Sequence, residues 1–144
     1  MTYPVTRRRW DGFLDAWQQA GGVPEELRVA VCPANSAGDG EAFADELLRA
    51  ADPPDAIAAM SDALAIGALH AAERAGRAVP TAVAVTGWDD SDAAAPAGLT
   101  SLRQSLREQG KRCACLALGR PGIPGGPDPA GWRVIPRATT RPTT

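Results

Sequence analysis

The chain has 144 residues, a formal net charge of -2, and a composition that is 44% hydrophobic and 22% charged. This length suits one domain or lobe, and the composition excludes a disordered chain. Because the charge balance shows no basic excess, it does not favour nucleic acid or an acidic membrane surface as a partner of this chain. No apolar run approaches the roughly 18 residues of a membrane span, and the start lacks a signal-peptide core, so we expect a cytoplasmic protein.

The cysteine and histidine content argues against metal and redox chemistry. Cys113 and Cys115 lie two positions apart in a helix-like segment, where their side chains diverge, and Cys32 has no matching pair, so a disulfide framework is not expected. A single histidine and the lack of a C-x-x-C spacing remove the usual zinc-ligand patterns. The sequence also lacks a nucleophile elbow and a glycine-rich phosphate loop. We therefore predict no metal, no cofactor and no enzyme activity.

The first predicted element is a helix over residues 8–20. Its apolar positions recur at i, i+3, i+4 and i+7, which is the spacing of one buried face, and Gly21 and Gly22 end it. The residues on the apolar face of this first helix are Trp10, Phe13, Leu14 and Trp17.

Residues 27–31 are predicted to form a strand. A second helix is predicted after Ser36, which forms a capping-box pattern with Asp39. Its predicted core face carries Phe43, Leu47 and Ala50. After the break at residues 52–54, residues 55–60 form a continuous apolar run, which is typical of a buried parallel strand.

The stretch over residues 54–90 has the pattern of a strand, a helix and a second strand. Asp62 is placed to cap the helix and Gly76 to stop it, and a Val-Pro turn leads into the second apolar run, residues 83–87. Together with the preceding elements, this alternation predicts a doubly wound α/β sheet.

The pattern loosens after residue 90. Residues 99–102 are predicted to be extended, and residues 105–118 to form an amphipathic helix closed by Gly119. A loop rich in glycine and proline follows. Residues 132–138 are again extended, and Pro136 restricts them to an edge or a bulge.

Polar residues follow both strands of the unit over residues 54–90. Ser61 and Asp62 come after the first strand, and Trp88, Asp89 and Asp90 come after the second. Open parallel sheets bind small ligands at the carboxyl ends of their strands. The sequence therefore predicts a ligand site at this edge.

Four segments carry a family resemblance: PDAIAAMSDALAIGAL, AGRAVPTAVAVTGWDDS, LTSLRQSLREQGKRCACLAL and WRVIPRATTR. They resemble the C-terminal sensor region of LacI/GalR-type bacterial transcription regulators, over about residues 9–141. The motifs are the Ser-Asp helix start, the Val-Pro turn, the Gly-aromatic-Asp-Asp strand end and the Leu-Thr-Ser-x-x-Gln segment. Two departures are Ser61, where asparagine is most common, and the Thr-Ala pair after the Val-Pro turn.

The resemblance implies the C-terminal lobe of a type I periplasmic-binding-protein-like fold. It implies that the first strand, the N-terminal lobe and the helix-turn-helix headpiece are missing. Residues 1–104 would form the lobe, residues 105–131 a helix and loop that cross to the absent lobe, and residues 132–144 a returning strand and tail. Residues 27–31 would then either pair directly with residues 55–60 or stay unpaired with exposed edges, and the chain would have low stability.

The resemblance also implies a function. The chain would sense a small-molecule effector, a sugar in our interpretation, and would form a homodimer, while DNA binding would need the missing headpiece. A solute-binding protein of a sugar transporter is the alternative. Asp62 could instead be only a helix cap, Trp88 a core residue and Arg9 a surface cation. The positions that match the family's ligand site are Arg9, Asn35, Ser61, Asp62, Trp88, Asp89 and Gln104.

Overall fold

A computed structural model describes residues 4–120 and 132–140. The chain starts with two helices, separated by one short 3-10 turn, Pro24–Glu26, and two consecutive strands follow one another in its second half. In chain order the elements are α1 (Pro4–Gln19), α2 (Ala37–Leu48), β1 (Ala56–Ala58), α3 (Asp62–Arg74), β2 (Ala84–Asp89), β3 (Thr100–Gln104), α4 (Leu106–Ala117) and β4 (Trp132–Ile135).

The four strands form one sheet in the order β1-β2-β3-β4. The pairs β1–β2 and β2–β3 are parallel, and β4 runs antiparallel to β3 at the edge. The predicted strand-helix-strand unit is therefore confirmed, with α3 crossing between two neighbouring parallel strands. The α/β class with a mostly parallel sheet is confirmed as well.

Both central helices begin at a serine cap. Ser36 Oγ accepts a hydrogen bond from the backbone N–H of Asp39, and Ser61 Oγ accepts one from Leu64. The prediction that Asp62 caps α3 is wrong, because Asp62 is the first residue inside the helix. Its carboxylate points into the protein, where it bonds groups of later elements.

The packing of α2 against α3 relies on two glycines. A Cβ at Gly40 would overlap the backbone of Leu64, and a Cβ at Gly67 would overlap the carbonyl oxygen of Ala37. This close approach turns Gly40, Ala44 and Leu48 toward the core. The predicted core face of α2 is therefore wrong by about one position, since its residue Ala50 is exposed.

The core lies between the helix pair and one face of the sheet. Residues of β2 alternate, so that Val85 and Gly87 are buried beneath α3 while Thr86 and Trp88 face the opposite side, toward α1. Small side chains let the layers approach closely. The buried hydrophobic residues are Ala44, Leu48, Ala65, Ala68, Ala71, Ala72, Val83, Val85, Ala94 and Leu99.

The prediction of a strand over residues 27–31 is wrong. The segment has no strand structure, and Val29 and Val31 are 50% and 60% exposed. A strand requires a hydrogen-bonded neighbour, and no described strand pairs with this segment. Of the two arrangements expected from the sequence, the structure adopts the unpaired one. Arg28 forms an ion pair with Asp52, which connects the segment to the loop between α2 and β1.

The carboxyl-terminal elements differ in how they attach to the sheet. The predicted helix is confirmed as α4, but none of its residues is buried. The predicted edge strand is confirmed as β4. Beyond it, the carbonyl of Thr139 accepts a hydrogen bond from Val85, and its N–H donates to Gly98, so residues 137–140 close the start of the sheet. Of the predicted crossing helix and loop over residues 105–131, residues 121–131 lie outside the described residues, as does the tail over residues 141–144.

Across the described ranges, none of the helices is both long and apolar enough to cross a bilayer.

Candidate functional site

The candidate site lies where β2 and β3 end. Asp89 and Asp90, at the end of β2, both have a positive φ, 108° and 50°. Such angles are uncommon outside glycine, and they cluster where a site requires a particular backbone shape. The structure brings four of the seven predicted residues together here: Arg9, Trp88, Asp89 and Gln104.

The Asp89 carboxylate is the centre of this group. Its Oδ1 accepts hydrogen bonds from Arg9 Nη2 at 3.3 Å and from Gln104 Nε2 at 2.5 Å. No described residue donates to Oδ2, and 35% of the side chain is exposed. The pair of donors on one oxygen fixes the carboxylate and leaves the other oxygen available as an acceptor.

Arg9 connects α1 to the sheet edge. Its Nη1 donates to the carbonyl of Met60 at 2.6 Å, at the end of β1, and its guanidinium lies 4.7 Å from the centroid of the Trp88 ring. Three simultaneous contacts explain why only 18% of this cationic side chain is exposed. The alternative left open by the sequence, that Arg9 is an exposed surface cation, is therefore wrong.

Trp88 lies between Arg9 and β4. Its ring meets that of Trp132 edge-on, with 6.4 Å between the centroids. Within the described parts of the chain, its buried Nε1–H has no hydrogen-bond partner. Trp88 is therefore a half-buried side chain that packs against a cation on one side and an aromatic ring on the other.

Asn35 and Ser61 form a separate pair. Ser61 Oγ donates to Asn35 Oδ1 while it also caps α3, so the starts of α2 and α3 are joined. In the described residues no hydrogen bond links this pair to Arg9 or Asp89. Asn35 and Ser61 were predicted to bind ligand together with Arg9 and Asp89, but in the structure they connect α2 to α3 instead of joining that group.

Asp62 has both carboxylate oxygens occupied within the chain. Oδ2 accepts from the backbone N–H of Ser91 and Oδ1 from the hydroxyl of Ser101, both at 2.6 Å. The residue is only 2% exposed. A Cβ at Gly87 would overlap Oδ1, so the glycine of the strand-end motif provides the space for this carboxylate.

Sequence reasoning did not assign a role to Asp90, which lies beside the site. Its side chain is 4% exposed and forms ion pairs with Arg137 at 2.7 Å and with Arg103 at 2.5 Å. Burial raises the pKa of the Asp90 carboxyl, but the hydrogen bonds and charges of Arg137 and Arg103 outweigh it, and the pKa lies below its usual range. The sequence pointed to Asp90 only through its place in the acid pair at the strand end, because Arg103 and Arg137 are both distant from it in sequence.

Two depressions adjoin the site. An apolar trough of about 490 Å³ separates α1 from the sheet face and includes Trp88 and Trp132. An open, more polar depression of about 580 Å³ lies at the strand ends and is lined by Asp89 and Gln104, whereas Arg9 and Trp88 line the apolar trough. In the described residues, no cluster of three or more His, Cys, Asp or Glu residues is placed to hold a metal ion. The polar depression is lined by residues 89–92 and 103–107.

Comparison with known proteins identifies a matching family and several related transcription regulators. A family model described as a periplasmic binding protein-like domain matches residues 2–144. The chain is 33% identical over 117 residues to the uncharacterized HTH-type transcriptional regulator YvdE of Bacillus subtilis, covering 80% of this chain and 36% of YvdE. It is 30% identical over 119 residues to the ribose operon repressor of the same organism, covering 81% of this chain and 35% of that protein.

The solved structures agree with the fold described above. A sugar-binding transcriptional regulator of the LacI family from Escherichia coli, complexed with phosphate, superposes with a TM-score of 0.80 at 27% identity. The match covers 96% of this chain and 51% of that one. The chain thus spans about a third of the curated relatives and about half of this solved structure.

Proposed function

The chain belongs to the periplasmic binding protein-like domain family, and from this premise we propose that it is the effector-sensing part of a LacI-type transcription regulator, with a neutral sugar as effector. The observation that carries the proposal is the Asp89 carboxylate, which Arg9 and Gln104 hold by one oxygen while no residue of the described ranges donates to the other. Such an acceptor, already fixed before a ligand arrives, saves the cost of ordering it on binding.

The surrounding groups suit a polyhydroxylated ligand. A carboxylate oxygen accepts hydrogen bonds from sugar hydroxyls, and the free donors of Arg9 and Gln104 can bond other hydroxyls or the ring oxygen. Trp88 lines the adjoining apolar trough, where Arg9 and Trp132 flank its ring, and a pyranose that spans the two depressions would place its C–H side against the exposed part of that ring. The polar depression is lined by three aspartates, Asp89, Asp90 and Asp92, and by two arginines, Arg103 and Arg107, so its charges nearly balance and suit a neutral ligand.

The seven predicted residues then divide by role. Arg9, Trp88, Asp89 and Gln104 are the proposed ligand contacts. Asn35 and Ser61 lie at the starts of α2 and α3, where helix N–H groups and side-chain oxygens favour further hydroxyl contacts. Asp62 has no free oxygen and is assigned to support of the turn after β2.

The relatives favour this function over the alternatives. The ribose operon repressor and the sugar-binding regulator of Escherichia coli support a sugar as the class of effector. Curated relatives that are transcription regulators also favour an intracellular sensor over the solute-binding protein of a transporter, and over an enzyme.

Partners are proposed on the same basis. We expect self-association through the exposed small residues of the loop over residues 91–98 and through apolar residues of α3 that the core leaves partly exposed, such as Leu69. With a net charge of -2, we expect the chain by itself not to bind DNA. Sedimentation velocity at micromolar concentration tests the first expectation, and a monomer at every concentration would contradict it.

Titration of the ¹⁵N-labelled chain with ribose, glucose and sucrose tests the ligand proposal. Because the depression is open on one side, we expect affinities no tighter than millimolar, which chemical-shift changes detect. The changes should concentrate at Asp89 and Gln104. Asp89→Asn should abolish them, whereas Asp15→Asn, at an exposed acid on α1 outside the depression, should not. If no sugar shifts these signals, or if Asp89→Asn leaves the shifts unchanged, the proposed site is wrong.

A further inference from the structure

The second acid of the strand-end pair makes contacts that differ entirely from those of the first. Asp89 is part-exposed and has one oxygen open, whereas Asp90 is 4% exposed and has both oxygens paired, one with Arg137 and one with Arg103. A buried charge with two cationic partners is costly to assemble and strongly resists displacement. Asp90 is thus a fixed point directly next to the proposed ligand contact.

The backbone around Asp90 is fixed by a second set of bonds. Its N–H donates to Ser101 Oγ at 3.0 Å, and that hydroxyl donates in turn to Asp62 Oδ1. The other oxygen of Asp62 accepts the N–H of Ser91. Two consecutive backbone N–H groups of the turn are therefore held by one buried carboxylate, directly or through one hydroxyl.

These bonds explain the unusual backbone of the turn. Positive φ angles at Asp89 and Asp90 persist only where surrounding contacts impose them. The contacts of Asp90 and Asp62 supply that constraint, and the turn they impose directs the Asp89 carboxylate to Arg9 and Gln104. If the constraint were released, the carboxylate would leave the donors that fix it.

We propose that Asp90 is a positioning residue for ligand recognition: its ion pairs with Arg137 and Arg103 hold the turn after β2 so that Asp89 presents its open oxygen to the effector. This inference rests on the proposed function, because it concerns the same site. It also assigns a role to Arg137, which reaches the site from the segment after β4 and donates to the carbonyl of Leu99 as well.

The first arm of the test needs no ligand. The side-chain amide of Gln104 bonds Asp89 and gives its own pair of NMR signals, which report whether the carboxylate is in place. We expect Asp90→Asn to move these signals to the positions seen in Asp89→Asn, while Asp15→Asn, at an exposed acid on α1 outside the depression, leaves them unchanged. Unchanged Gln104 signals in folded Asp90→Asn would overturn the inference, since a merely structural role would not reach this amide.

The second arm measures recognition with ribose, glucose and sucrose as probes. We expect Asp90→Asn to weaken the sugar response about tenfold or more, as for loss of a hydrogen bond to a charged group. If Asp89→Asn abolishes binding while Asp90→Asn binds normally, this inference fails and the proposed function stands; if neither variant changes it, both fail. Should Asp90→Asn not fold, Arg103→Gln replaces it, because Arg103 is 42% exposed and its loss is better tolerated. The same Gln104 shift and weaker sugar response are expected from Arg103→Gln, and wild-type behaviour in both would overturn the proposal.

Discussion

The Arg9 guanidinium lies over the ring of Trp88, 4.7 Å from its centroid, and the same group reaches Asp89 across eighty positions of sequence. Arg9 thereby joins α1 to the ends of two strands. A planar, forked cation satisfies the carbonyl, the carboxylate and the ring at once, and an ammonium group does not.

Replacing Arg9 with lysine should therefore be destabilising although it keeps the charge. We expect Arg9→Lys to lower the free energy of unfolding by about 1–2 kcal/mol, through lost stacking and one lost hydrogen bond. Arg7→Lys, on the exposed side of the same helix, is the matched control and should change little. Urea unfolding followed by circular dichroism measures both, and equal stability of the two variants would contradict the prediction.

The contact between α2 and α3 should not tolerate a methyl group at Gly67. A Cβ there would overlap the carbonyl oxygen of Ala37 and the backbone nitrogen of Glu41, neither of which can move without displacing α2. We expect Gly67→Ala to cost roughly 3 kcal/mol. Gly38→Ala lies in the same helix pair but finds only Ser36 Oγ, at 3.9 Å, and should stabilise by up to about 1 kcal/mol. Thermal melts of the two proteins should move in opposite directions.

The lowered pKa of Asp90 predicts a defined dependence of stability on pH. Above about pH 5 the carboxyl is ionised in both the folded and the unfolded chain, so the full stabilisation by Arg137 and Arg103 is present. As the pH falls below that value, the unfolded chain takes up the proton first, and the contribution is lost by the time the pH passes below the folded pKa. Asp90→Asn should cost about 3 kcal/mol at pH 7.

Urea midpoints at pH 7, 5, 4 and 3 test this pH dependence. The difference between the wild-type chain and Asp90→Asn should be constant from pH 7 to 5 and should shrink below pH 5. Asp92→Asn controls for the general loss of an acidic group. A difference that stays the same at pH 3 would show that the ion pairs of Asp90 contribute no net stability.

Hydrogen exchange should separate α3 from α4. Several residues of α3 are fully buried, Ala65 and Ala71 among them, whereas none of α4 is, and Leu116 is 76% exposed. An amphipathic helix without a surface to cover is marginal in water. We expect amides of α4 to exchange orders of magnitude faster than those of α3. Equal protection of the two helices would indicate that α4 packs against a surface in solution, as in a dimer.

The three cysteines should react at different rates. Burial and the charge of Asp39 raise the pKa of the Cys32 thiol, whereas Cys113 is exposed on α4. Because the thiolate is the reacting species, Cys32 should react with an aromatic disulfide more slowly than Cys113 at pH 8. The double variants Cys113→Ser with Cys115→Ser and Cys32→Ser with Cys115→Ser isolate the two thiols. The rate for Cys32 should continue to rise above pH 9, and identical rate profiles would contradict the assignment.

Local patterns in the sequence determined the central unit of this protein. A continuous apolar run, a helical stripe and a second run are sufficient for β1, α3 and β2, because the 3.6-residue and two-residue periods distinguish these elements without knowledge of their neighbours. Gly76, with a φ of 64°, ends α3 as predicted, since the left-handed conformation required there strains other residues. The carboxyl ends of the strands also pointed to the site before any contact was known.

Tertiary structure decided what those patterns leave open. Residues 27–31 have the composition of a strand, but a strand exists only when a neighbour satisfies its backbone groups, and none of the described strands does. The role of Asp62 depended on Ser101, 39 positions away, and that of Asp90 on Arg137, 47 positions away. The sequence alone does not distinguish an aspartate that caps a helix from one that binds a ligand or supports a turn. The role of each aspartate depends on which hydrogen-bond donors the fold places beside its carboxylate.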